Sequence, residues 1–132
     1  MKTLLYIEDN ADNLKVLQMM IKRLRPMDDV LPARTAEEGI DIAIRMLPEL
    51  ILMDINLPGM DGYEALKILR STSVTRHIPV IAVSAYAMQE NILQGLAAGF
   101  DAYITKPVNM QMLAATISSC LPEVDMVQIG RG

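Results

Sequence analysis

The 132-residue chain has one cysteine, one histidine, one phenylalanine and no tryptophan. A lone thiol, Cys120, excludes an internal disulfide framework and a cysteine-based zinc site. A lone imidazole, His77, excludes a multi-histidine metal site. There is no long hydrophobic run: the apolar opening that ends at Ile7 is broken by Glu8 and Asp9. It is too short for a secretion signal or a membrane span, so a soluble cytoplasmic protein with no membrane role is expected. An excess of positive charge is also missing. The net charge of −4 argues against a chain built to grip nucleic acid, where a basic surface supplies most of the affinity.

What is present is enough for one globular domain. Hydrophobic residues make up 52% and charged residues 21%, close to the globular average. A chain of this length buries roughly two-thirds of its unfolded surface, which excludes disorder as the main state. With aromatics scarce, core volume falls to Leu, Ile, Val and the eleven methionines, which are adaptable fillers.

Short apolar runs alternate with longer amphipathic ones. Strands are predicted at Thr3–Ile7, Asp29–Ala33, Leu50–Met53, Val80–Ser84 and Ala102–Thr105. Pro32 marks the second as an edge strand. Helices are predicted at Asp12–Arg25, from Thr35 to about Leu47, and at Tyr63–Leu69, Met88–Ala98 and Met110–Cys120. Thr35 and Glu38 have capping-box spacing. Ala36, Ile40, Ala43 and Leu47 fall on one face of that helix. Pro58 and Gly59 signal a turn, and Gly99 stands where a helix C-terminus favours it. Five continuous apolar strands separated by five helices imply an α/β fold with a parallel sheet covered on both faces. The domain is assigned to residues 1–122, with 123–132 as a C-terminal tail.

In open parallel sheets ligands bind beyond the carboxyl ends of the strands. Those ends carry Glu8 and Asp9, then Asp54, then Ser84, then Lys106 and Pro107. Taken singly, each has a bland reading. Glu8 and Asp9 could favour a helix N-terminus, Ser84 could cap the next helix, and Lys106 could be a surface lysine. Together they describe a site. Three carboxylates on one edge repel unless a cation joins them, and Mg²⁺ takes carboxylates, waters and phosphate oxygens. A carboxylate is a competent nucleophile for an acyl phosphate. A lysine and a hydroxyl can steady the oxygens of the transferred group.

These residues, with segments 4–10, 50–62, 78–85 and 99–107, closely resemble the receiver domain of two-component response regulators over about residues 3–121. The resemblance implies a flavodoxin-like doubly wound sheet of order 2-1-3-4-5. It implies Asp54 as phosphoacceptor, with Asp9 a direct Mg²⁺ (or Mn²⁺) ligand, Glu8 acting through water and the Asn56 carbonyl a further ligand. Lys106 would pair with phosphoryl oxygens, Ser84 would hydrogen-bond one of them, and Tyr103 would turn inward with Ser84. A cis peptide is implied between Lys106 and Pro107. Ala85 leaves room for the donor, and Tyr86 would partly shield the phosphoryl group from water.

The implied function is a signalling switch rather than an enzyme. Asp54 would take a phosphoryl group from the phosphohistidine of a histidine kinase or histidine phosphotransfer protein. Stand-alone regulators and receivers of hybrid sensor kinases both fit. The alternatives are an aspartyl-nucleophile phosphatase of the haloacid-dehalogenase type, an interaction module that never takes phosphate, and a flavin protein of the same strand order. The first expects its nucleophile after the first strand, whereas Asp54 follows the third, and it expects a cap domain. The second is disfavoured by a complete site, and the third by the absence of a Gly-rich phosphate loop. His77 reads as a surface residue and Cys120 as packing. Residues 91–122 hold only two charges, Asp101 and Lys106. A contact of residues 88–121 with a second copy or a partner domain would therefore be apolar and uncharged, and little weakened by salt.

Overall fold

The computed structural model describes residues 1–121. The chain alternates β1 (Thr3–Ile7), α1 (Ala11–Leu24), β2 (Asp29–Ala33), α2 (Ala36–Met46), β3 (Leu50–Asp54), α3 (Gly62–Ser71), β4 (Val80–Ser84), α4 (Gln89–Ala98), β5 (Ala102–Thr105) and α5 (Met110–Cys120). The five strands form one parallel sheet in the order β2-β1-β3-β4-β5, the doubly wound arrangement expected above. Pro32 does lie on an edge strand, where its missing N–H costs no ladder bond.

Alternation along each strand divides the core. Leu5 and Ile7 face one way and pack with Ala36, Ala43, Ala65, Leu66 and Leu69 of α2 and α3. Leu4 and Tyr6 face the other way and pack with Leu14, Leu17 and Ile21 of α1 and with Leu113 and Ile117 of α5. Every residue of β3 and β4 is buried, as a central strand with helices on both faces requires. Full burial of one such Leu or Ile contributes about 1.5–3 kcal/mol.

The helix ends follow local chemistry, with some departures from expectation. Asn10, not Glu8 or Asp9, caps α1, its side chain accepting from Asn13 N. Thr35 caps α2 by accepting from Glu38 N. The return bond of the expected capping box is displaced, because Glu38 Oε1 accepts from Arg34 N instead (2.8 Å). A full reciprocal box occurs at Asp61 and Glu64 at the head of α3. Leu47 is half exposed and ends α2 in a left-handed conformation, φ 47°, so it leaves the buried face assigned to it. Gly99 ends α4 at φ 115°, a conformation glycine adopts without penalty. His77 is exposed in the α3–β4 loop. Cys120 is half-buried against the α1/α5 core.

Among the described residues no helix is long and apolar enough to cross a membrane. The tail assigned to 123–132 lies outside the described residues, as does residue 122.

Candidate functional site

Strand register brings the polar residues together. Ile7 pairs with Met53, so Glu8 and Asp54 emerge side by side from neighbouring strands. Asp54 pairs with Val83, which puts Ser84 one residue further along the same edge. Ser84 in turn pairs with Thr105, and Lys106 follows it.

Carboxylate oxygens of Glu8, Asp9 and Asp54 lie within 4.8 Å of one another. Glu8 and Asp54 are buried, 1% and 5% exposed, which is costly for charged groups unless they are paired. The Lys106 ammonium supplies the pairing. It donates to Glu8 Oε1 at 2.8 Å and to Asp54 Oδ2 at 3.2 Å. Asp54 Oδ1 accepts from Asn56 N at 2.9 Å. Glu8 Oε1 also accepts from the buried Tyr6 hydroxyl at 2.9 Å, and Glu8 Oε2 accepts from Asn10 N at 3.2 Å. The Lys106–Pro107 peptide is cis.

These contacts separate the two buried acids electrostatically. Burial pushes the Glu8 carboxyl up, but hydrogen bonds from Lys106, Asn10 N–H and Tyr6 outweigh it and hold Glu8 below the usual carboxylate range. Burial also pushes Asp54 up. The Asn56 N–H and Lys106 oppose that shift, while Glu8 adds to it, and Asp54 ends above the usual range. Burial lowers Lys106, yet its two acidic neighbours outweigh this and raise it. Tyr6 is raised by burial and by Glu8, so its hydroxyl keeps its proton. Three carboxylates against one ammonium leave a formal charge of −2. With hard oxygen donors in reach of one point, that donor set fits a divalent cation of the Mg²⁺ class.

Ser84 is fully buried and does not cap α4, whose N-cap is Met88. Its hydroxyl donates to Asn56 Oδ1 (3.3 Å) and accepts from Tyr86 N (3.1 Å). Tyr103, half-buried on β5, donates its hydroxyl to the Tyr86 carbonyl at 2.8 Å. Ser84 and Tyr103 are therefore both tied to the β4–α4 loop. Ala85 is exposed beside Ser84.

Two participants escape a reading by strand ends. Tyr6 stands two residues before Glu8 on the same face of β1, a period-two signal that was available. Arg34 follows β2 at the same sheet edge. Its guanidinium donates through Nε (3.1 Å) and Nη2 (2.7 Å) to the Asp9 carbonyl, pinning the loop that carries the acidic pair.

Asp54 ends the third strand, not the first, and nothing in this arrangement favours the haloacid-dehalogenase alternative. The sequence profile of the response regulator receiver domain matches residues 4–118. The polar-differentiation response regulator DivK of Brucella ovis is 40% identical over 123 residues, covering 91% of this chain and 96% of DivK. Among solved structures, the receiver domain of sensor histidine kinase PA1611 from Pseudomonas aeruginosa PAO1 superposes with a TM-score of 0.81. It is 30% identical and covers 90% of this chain and 96% of that one. The signal receiver domain of a DNA binding response regulator from Colwellia psychrerythraea 34H gives a TM-score of 0.83 at 26% identity, covering 90% and 97%. Strand order, the acidic cluster with its lysine, and these matches agree: the chain belongs to the response regulator receiver domain family.

Proposed function

We propose that Asp54 accepts a phosphoryl group from a phosphohistidine of a histidine kinase or histidine phosphotransfer protein. The observation that carries this reading is the setting of Asp54. It is a buried carboxylate at a strand end, 3.2 Å from the Lys106 ammonium and beside two further acids. Glu8, Asp9, Asp54 and the Asn56 carbonyl would hold Mg²⁺ or Mn²⁺, Glu8 through water. The PA1611 receiver structure has a magnesium ion coordinated in its active-site cleft, which supports the same assignment here. When bound, the ion neutralises the clustered acids and the transferring oxygens.

The chain's own groups do the rest. The Asp54 carboxylate attacks phosphorus, the P–N bond breaks, and the imidazole leaves. Lys106 releases Asp54 and follows the phosphoryl oxygens. Ser84 exchanges its bond to Asn56 for one to a phosphoryl oxygen, and Tyr103 holds the loop that carries it. The face formed by residues 88–121 then presents a different surface to a partner domain or second copy. The domain promotes its own phosphorylation and dephosphorylation and turns over no separate substrate, so it is a switch.

Incubation with phosphoramidate, which presents a P–N bond, tests this reading. Wild type with Mg²⁺ gains one acid-stable, alkali-labile phosphate by intact mass. Asp54→Asn, or wild type in EDTA, gains at most about 1% as much. Undiminished phosphate in either would refute the site.

A further inference from the structure

Gly95 is the only buried residue of α4. It lies within the helix, where glycine is among the poorest formers, and its backbone is not in the left-handed region that would call for glycine. Space accounts for it instead. A Cβ at this position would stand 2.7 Å from Cδ2 and 2.9 Å from Cε2 of Tyr103, and 3.8 Å from the Tyr63 hydroxyl. No backbone atom beyond the helix is that close. The Cδ2–Cε2 edge of the Tyr103 ring thus abuts the bare side of α4.

The ring is held there by one polar bond, from its hydroxyl to the Tyr86 carbonyl (2.8 Å). Tyr86 N donates to Ser84 Oγ (3.1 Å), which reaches Asn56 Oδ1 (3.3 Å). The absence of a side chain at 95 is therefore linked, through ring and loop, to the hydroxyl beside Asp54. Because β5 is an edge strand and Tyr103 is only half-buried, the ring has solvent on its far side into which it can turn.

We infer that Gly95 is a positioning residue that sets the inward resting place of Tyr103 and thereby holds Ser84 ready for the phosphoryl group. This rests on the phosphoacceptor reading above. A methyl group at 95 displaces the ring, breaks its bond to Tyr86 and frees the β4–α4 loop. An arrangement that binds the phosphoryl group less well is then more populated.

The test uses the whole chain carrying Gly95→Ala, alone and combined with Tyr103→Ala. NMR of ring-labelled tyrosine in the phosphate-free protein should show the Tyr103 ring leaving α4. The phosphorylated fraction at a fixed, subsaturating phosphoramidate concentration should fall at least about twofold. In the Tyr103→Ala background, Gly95→Ala should leave that fraction unchanged, since there is no ring to displace. A ring that stays in place, or an equal loss in both backgrounds, overturns the inference. So does failure of Gly95→Ala to fold, because a movable ring would have relieved the clash. Ring position is read without phosphate, whereas wild-type uptake at Asp54 tests the parent reading, so the two fail separately.

Discussion

Asp28 illustrates how a single residue is held by its surroundings away from the site. It is buried, accepts from Lys2 N at 2.9 Å, and pairs with Arg25. Burial pushes its carboxyl up, but the Lys2 N–H and Arg25 outweigh this and hold it below the usual range. A carboxylate with a depressed folded pKa stabilises the fold above its unfolded value near 3.9. That stability is lost as pH falls through the folded value. Asp28→Asn should therefore cost about 1 kcal/mol at pH 7, allowing for screening at its solvent edge. The gap to wild type should narrow in acid, as pH falls below the unfolded value and through the folded one. Urea titrations at neutral pH and in acid check this, and a gap that does not narrow would count against it. Around the site, the acids and Lys106 could be read from strand ends. Arg34 could not, because its partner is a backbone carbonyl 25 positions away and no side-chain pattern marks that.

At the scale of elements, the helices are unequally anchored. α1 buries Leu14, Leu17 and Ile21, and α3 buries Gly62, Ala65, Leu66 and Leu69 behind a reciprocal cap. α4 buries only Gly95 and leaves Leu93 and Leu96 exposed. Its far end is fastened more firmly, since Arg70 donates to the Gly99 carbonyl (3.2 Å) and to Asp101 Oδ2 (2.8 Å). Few buried apolar contacts mean a low local opening energy. Amides of α4 should exchange with deuterium at least about tenfold faster than those of α1 and α3, by mass spectrometry or NMR. Equal protection would contradict the packing argument. The two charges of segment 91–122 are both engaged, Lys106 with Glu8 and Asp54 and Asp101 with Arg70. The face there is thus even less charged than composition suggests. Of the side-chain caps only Thr35 was legible in the sequence; Asn10, Asp61 and Asn109 emerge from the structure. Thr35 and Glu38 form half a box, because Glu38 finds the Arg34 N–H first, whereas Asp61 and Glu64 close a complete one.

For the molecule as a whole, the three acids gathered where the strands end carry more negative charge than Lys106 offsets, and a bound cation would relieve that excess. Binding only the folded state, Mg²⁺ at about 100 times its Kd should add about 2.7 kcal/mol. For a domain of this size that is a rise in Tm of about 10 °C. Thermal unfolding followed by circular dichroism checks it, and excess EDTA should return the midpoint to its starting value. Asp9→Asn should lose at least about half of the rise. An equal rise in that variant would mean the ion binds elsewhere.

The sequence by itself determined the alternation of five strands and five helices, because period and apolar runs are local properties of the chain. It also determined which residues end each strand, and so which chemistry was available. Only the tertiary structure decided that Lys106 bridges Glu8 and Asp54, that Tyr6 shares Glu8 Oε1, and that Tyr103 rests on Gly95. The two Lys106 contacts join residues 98 and 52 positions apart. They depend on sheet register and on which side chains reach each other across it, and no local pattern carries that information.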